Sequence, residues 1–362
     1  MRTFRLLLPC FGFLSLAVTA CGLHDKTPAK PEYAIMPNNA AFSGPIGRLT
    51  ALKLGFKTDF TQLRICVETG RTHIADDELM LETRMAYAAW LDAATGFTES
   101  DWQKFVFVAS PKCDFADASY GGVVVAANEG ESLPAGNSTN FSLMQLSCNG
   151  GGCQSNGITT GLGGPGSLSY SYNYYDPGKW TGVSSNEPAF ATLSPNVDWI
   201  SLDQDLGLNQ QDGLSDAAKA ELKAEYQSLK AETAPTMAAL AGFVKKLAAQ
   251  GVLQGPDTGF ENAMNTYETT GQTVGTFRSS EGIFHTLLHE VGHQYGMDHA
   301  DNPDGASTTG PSLTTQKGPD GQYRTSRATM AYGDPYLYLT DDDVAGIRSV
   351  RSSVVAYLQS HR

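Results

Sequence analysis

Apolar positions recur with a helical period early in the chain. Leu79, Met85, Ala86 and Trp90 fall near one face, and the stretch Asp76–Ala94 reads as a helix that Gly96 is placed to end. Strands are predicted on either side of it, at Arg64–Val67 before and at Lys104–Val108 and Gly122–Ala127 after. Such a strand–helix–strand opening suits an α/β or α+β domain. Residues 149–190 are rich in Gly, Ser, Tyr and Asn and read as surface loops with short strands. Val197–Leu202 reads as another strand. Ser215–Gln250, dominated by Ala, Glu, Lys and Leu, reads as two helices parted at Pro235, a helical insertion packed on the scaffold. No internal repeat is visible.

The N-terminus has a different pattern. Arg2 and Arg5 precede a short apolar run, Leu6–Val18, that is broken by Pro9 and Gly12. It falls short of the roughly 20 residues a membrane-spanning helix needs, and reads as a secretory leader over 1–20. Val18-Thr19-Ala20-Cys21 resembles the lipobox of bacterial lipoproteins, in which the cysteine carries the lipid. The resemblance implies an exported protein anchored in the bacterial cell envelope through Cys21. Gly22 in place of an aspartate favours the outer membrane, and secretion after an ordinary cleavage is the alternative. Residues 21–46, with Pro28, Pro31, Pro37 and Pro45, read as a tether, and globular patterning starts near 47.

Charge and cysteine content narrow the field. With 25 Lys+Arg against 38 Asp+Glu the net charge is −13, which argues against an electrostatic grip on nucleic acid. The 362 residues would fit about two ordinary domains or one large one with insertions. The 38 glycines make the chain loop-rich, without a collagen repeat. Beyond Cys10 and Cys21 four cysteines remain, an even number suited to an oxidising compartment. Cys148 and Cys153 flank a glycine loop that can close locally, which would leave Cys66 to pair with Cys113. Three connectivities are open, and a four-thiolate zinc site is the alternative, although the spacings do not resemble a zinc ribbon.

The chemistry lies in His289, Glu290, His293, Gly296 and His299, spaced H-E-x-x-H-x-x-G-x-x-H. Residues four apart on a helix are separated by about 40° and about 6 Å, so His289 and His293 address one point. Glu290, about 100° round from His289, reaches beside that point rather than onto it. A continued helix would carry His299 about 15 Å along the axis, so the helix must stop and the chain turn back, and Gly296 is placed to do so. Three neutral imidazoles with a fourth position open form the pattern of a catalytic zinc site. His285, one turn earlier, would close that position as a fourth ligand; the preferred reading is a histidine satisfied by its neighbours. Asp298, Asp301 and Asp304, with Asn302 and Gly305, look superficially like a calcium cage but lack EF-hand spacing, so a polar turn is expected. Asp334 and the acidic run 341–343 are read as solvated or capping.

These residues resemble the metzincin metallopeptidases, whose signature is this long motif followed by a Met-turn. Thr329-Met330-Ala331-Tyr332-Gly333 supplies the second half. By that resemblance Met330 forms the floor beneath the zinc histidines. Tyr332, which matches the astacin and serralysin pattern, ligates zinc or supports the transition state, and Thr340 caps the last helix. The implied fold is α+β: a twisted, mostly parallel sheet in an α/β-type N-terminal subdomain, an active-site helix, and a small irregular C-terminal subdomain. It would occupy 47–362, with insertions at about 149–275. The resemblance is firm over about 280–350. No cysteine-switch or aspartate-switch segment is found. The implied activity is a zinc-dependent endopeptidase acting on a protein or peptide, with Glu290 as general base. The alternatives are a zinc-binding scaffold that cleaves nothing and a zinc amidase acting on a cell-wall amide.

Overall fold

Side chains alternate along β1 (Leu63–Glu68). Ile65 and Val67 point to one core and Cys66 to another, the period-two pattern of a strand buried on both faces. The same alternation runs along β3 (Tyr120–Ala126), where Val124 and Ala126 face one way and Val123 and Val125 the other. The computed structural model describes residues 61–117, 119–133, 138–141, 144–149, 152–155, 160–164, 188–208, 214–252, 276–297, 316–317, 323–324, 329–330, 339, 343–348 and 351–352. The leader, Cys21 and the 21–46 segment lie outside them.

The architecture is mixed α/β around a mostly parallel sheet. Helix α1 (Asp76–Ala94) and the short α2 (Glu99–Trp102) follow β1, then come β2 (Phe105–Ser110) and β3. The hairpin β4 (Met144–Asn149) and β5 (Gly152–Ser155) sets Cys148 opposite Cys153 in the backbone register. Next are β6 (Gly161–Gly164), β7 (Ala189–Leu193) and β8 (Val197–Ile200). The five-stranded sheet has the order β2-β1-β3-β7-β6. The pairs β2–β1, β1–β3 and β3–β7 are parallel, while β6 runs antiparallel to β7 along the edge.

Three helices follow: α3 (Leu202–Leu208), α4 (Asp216–Ala231) and α5 (Met237–Gln250). Ser215 and Thr236 cap α4 and α5 by accepting hydrogen bonds from Ala218 and Ala239, and Pro235 lies between the two. β9 (Thr276–Phe277) pairs with β4, and β10 (Ser279–Gly282) pairs with β8 and runs directly into α6 (Ile283–Gln294). The short strands β11 (Gln316–Lys317) and β12 (Tyr323–Arg324) form a separate ladder, and residues 343–348 are helical. No helix among the described residues is long and apolar enough to cross a membrane.

One face of the sheet carries the larger core. There α1 packs on α5 and α6, and Trp90, Tyr87, Tyr226, Phe243 and Phe284 are buried. Because α1 is enclosed on nearly all sides, it buries Glu82 and Thr83 along with its apolar residues. The opposite face holds a smaller cluster with Phe141, Phe190 and a Cys66–Cys113 disulfide, Cα atoms 5.9 Å apart.

Two expectations need revision. Short strands do fall within 149–190, but β6 and the start of β7 belong to the main sheet, and Ala189 and Phe190 are core rather than surface. A strand built as Gly-Leu-Gly-Gly has almost no side chains with which to announce itself. The strand expected to reach Leu202 ends at Ile200, and Leu202 opens α3, because its N–H is held by the buried Glu82 carboxyl at 2.8 Å.

Candidate metal centre

Helix α6 presents His289, Glu290 and His293 together, one ligand atom from each lying within 4.8 Å of the others. The helix is pinned from two sides. Trp90 Nε1 on α1 donates to the Leu288 carbonyl at 2.8 Å. Gln294 Nε2 donates to Val123 O on β3 at 2.9 Å, while its Oε1 accepts from the Tyr87 hydroxyl. The helix therefore cannot rotate or slide without breaking buried hydrogen bonds to both α1 and the sheet. Sequence reasoning did not assign Tyr87 or Gln294 to this task.

Gly296 ends the helix in the left-handed region, with φ 89°. Its N–H bonds to His293 O at 3.0 Å, and the Met297 N–H bonds to Gly292 O at 3.1 Å, the paired closure of a Schellman motif. The turn brings the Met297 carbonyl 2.7 Å from His293 Nδ1. The Thr329 carbonyl lies 2.7 Å from His289 Nδ1. A carbonyl only accepts, so each Nδ1 carries the proton and each Nε2 keeps its lone pair.

The two Nε2 atoms are 3.2 Å apart. Two lone pairs at that distance repel unless a cation sits between them. Tetrahedral ligands at about 2.0–2.1 Å from one zinc ion would be separated by nearly this distance, so the donor pair fits a metal. Burial, aided by the neighbouring His293, lowers the pKa of His289 to about 3. Burial lowers His293 to about 4, against the pull of its bond to the Met297 carbonyl. Both rings are thus neutral at ordinary pH, the form that ligates metal. His285 lies outside the cluster, and burial, then His289, holds it near 3.

Met330 is fully buried beneath the helix. A Cβ at Gly292 would lie 2.4 Å from Met330 Sδ and 2.8 Å from Trp90 Cζ2, so a glycine there lets the methionine reach the helix backbone. The Thr329–Met330 segment is itself held by Asp343. Its carboxylate accepts from Thr329 N at 2.8 Å and from Met330 N at 3.1 Å, and Thr329 Oγ1 accepts from Leu339 N. This corrects the reading of 341–343 at its third member: Asp343 is fully buried, because two backbone donors compensate its loss of water.

Glu290 is 4% exposed, and burial pushes its carboxyl well above the usual range. It packs against β6, where glycines 161 and 163 face it. His299, Tyr332, Thr340, Asp334 and the candidate calcium residues Asp298, Asp301, Asp304, Asn302 and Gly305 lie outside the described residues. No model of a known family, no curated protein and no solved structure matches this chain.

Proposed function

We propose that this chain is a zinc-dependent endopeptidase. The observation that carries the reading is the pair of Nδ1-protonated imidazoles with facing Nε2 atoms 3.2 Å apart, next to a buried glutamate, on a helix. His289 and His293 would hold the zinc, and the motif spacing assigns His299 as the third ligand. When bound, the metal supplies Lewis acidity, making a water nucleophilic near neutral pH and polarising the scissile carbonyl. Glu290 takes the proton of the attacking water and delivers it to the leaving amine nitrogen. Glu290 would need its ionised form for this step; burial opposes that form, and a cation held by the histidines would favour it. Tyr332 is assigned the hydrogen bond to the developing oxyanion by the metzincin resemblance alone.

The placement of β6 supports an extended polypeptide as substrate. It is the last strand of its sheet among the described residues and packs directly on α6. A peptide that adds to this edge by main-chain hydrogen bonding would lie one strand spacing, about 4.8 Å, from the glycines that face Glu290.

The test is the purified protein against a library of unstructured peptides, with and without chelator, alongside the Glu290→Gln variant. The expected result is chelator-sensitive cleavage in the parent, with zinc retained and turnover lost by at least about 100-fold in the variant. Normal turnover by Glu290→Gln refutes the role of the glutamate. Cleavage of peptidoglycan fragments but not peptides would redirect the reading to a cell-wall amidase.

A further inference from the structure

We propose that Gly161 is a positioning residue for Glu290, kept side-chain-free so that the carboxylate has a place to lie; this rests on the peptidase reading and deepens it. In β6 the residues alternate in facing. Leu162 packs into the cluster on the disulfide side of the sheet, so Gly161 and Gly163 face α6. Neither glycine has a positive φ, so an L-residue could take either backbone conformation. Space is what excludes a larger residue.

The two positions differ in what they exclude. The three atoms nearest a Cβ at 161 would all belong to the glutamate side chain, Oε1 at 2.5 Å, Cγ at 2.8 Å and Cδ at 2.9 Å. A Cβ at 163 would lie 2.5 Å from the Glu290 main-chain oxygen, 2.7 Å from Oε2 and 2.9 Å from His293 Cβ. Gly163 therefore sets how closely the strand and the helix backbone approach, while Gly161 leaves room for the carboxylate. One oxygen of the carboxylate rests against each glycine. Alanine at 161 forces the carboxylate aside by about 1 Å, the scale of misplacement that costs about 100-fold in rate, and leaves both imidazoles where they are.

The experiment pairs Gly161→Ala with Glu290→Ala in a double-mutant cycle, read by melting temperature and by zinc affinity as well as by peptide turnover. In the parent background, Gly161→Ala lowers Tm by about 3 °C or more, from the collision of Cβ with Oε1. In the Glu290→Ala background the added methyl enters the vacated slot, and Tm holds or rises, because alanine costs less chain entropy than glycine on folding. Zinc affinity of Gly161→Ala stays within about threefold of the parent, and kcat falls about 100-fold with KM little changed. An equal loss of Tm in both backgrounds overturns the proposal, as does an unchanged kcat in the zinc-loaded single variant. Failure of Gly161→Ala to fold with recovery in the double variant supports it; failure in both overturns it. The melting cycle stands whether or not peptide cleavage is found, so its failure is separate from failure of the peptidase reading.

Discussion

Glu82 makes the stability of this fold depend on pH in an unusual direction. Its carboxyl is fully buried on α1, where Oε1 accepts from Leu202 N at 2.8 Å and from the Tyr226 hydroxyl at 2.9 Å. Oε2 has no hydrogen-bond partner among the described residues. Burial raises its pKa from 4.5 to about 8; Glu78 and Asp205 add to the rise, and the two hydrogen bonds oppose it. Between those values the folded state holds a proton that the unfolded state has lost. The contribution is therefore complete below pH 4.5 and falls as pH climbs through about 8, at about 1.4 kcal/mol per unit. By pH 7 the loss is about 3 kcal/mol, and above pH 8 it levels near 5 kcal/mol. Glu82→Gln keeps the accepting oxygen and removes the titration. Guanidinium unfolding of both proteins from pH 5 to pH 9, at matched ionic strength, isolates this one group, because all shared titrations cancel in the difference. The variant gains on the parent by about 1.4 kcal/mol per unit up to about pH 8, with m unchanged. A difference that stays flat with pH refutes the argument.

Two further outcomes follow from the assigned roles. Asp343→Asn replaces one accepting oxygen with a donor that faces a backbone N–H; it is expected to loosen the Thr329 carbonyl, and with it His289, lowering zinc affinity by about 10–100-fold in a competition titration, and unchanged affinity refutes the link. The leader and Cys21 are proposed to give a lipid-anchored, exported protein; labelled palmitate is expected in the parent and absent from Cys21→Ala, and equal labelling of the two rejects the anchor.

What could be read in advance depended on whether the signal was local. His289, Glu290 and His293 were legible because helical spacing alone brings them together, and α1 was legible from end to end because its apolar face repeats. The division of the later helices at Pro235 is likewise a property of one residue. β6 was illegible for the opposite reason. Its role lies in the side chains it lacks, and their absence acquires meaning only when α6 is laid against it. Asp343 was misread because an acid in a run of three looks solvated until the Thr329 and Met330 amides are seen to enclose it. Glu82 carried a faint signal, an acid following Leu79-Met80-Leu81 in a helix buried all round, but its partners Leu202 and Tyr226 come from elements far along the chain.

The Asp343 carboxylate also sets an order of assembly. During synthesis α6 emerges well before position 343, so the helix can fold with its glutamate and two histidines already in place. Until Asp343 arrives, however, two of the hydrogen bonds that hold the Thr329–Met330 segment are missing, and the Thr329 carbonyl that faces the His289 ring is less firmly placed. On the proposed reading, a fully supported metal site would therefore be completed late, once most of the chain has been made. A product truncated before 343 would then carry every motif residue and still bind zinc more weakly than the whole chain, as Asp343→Asn is expected to do.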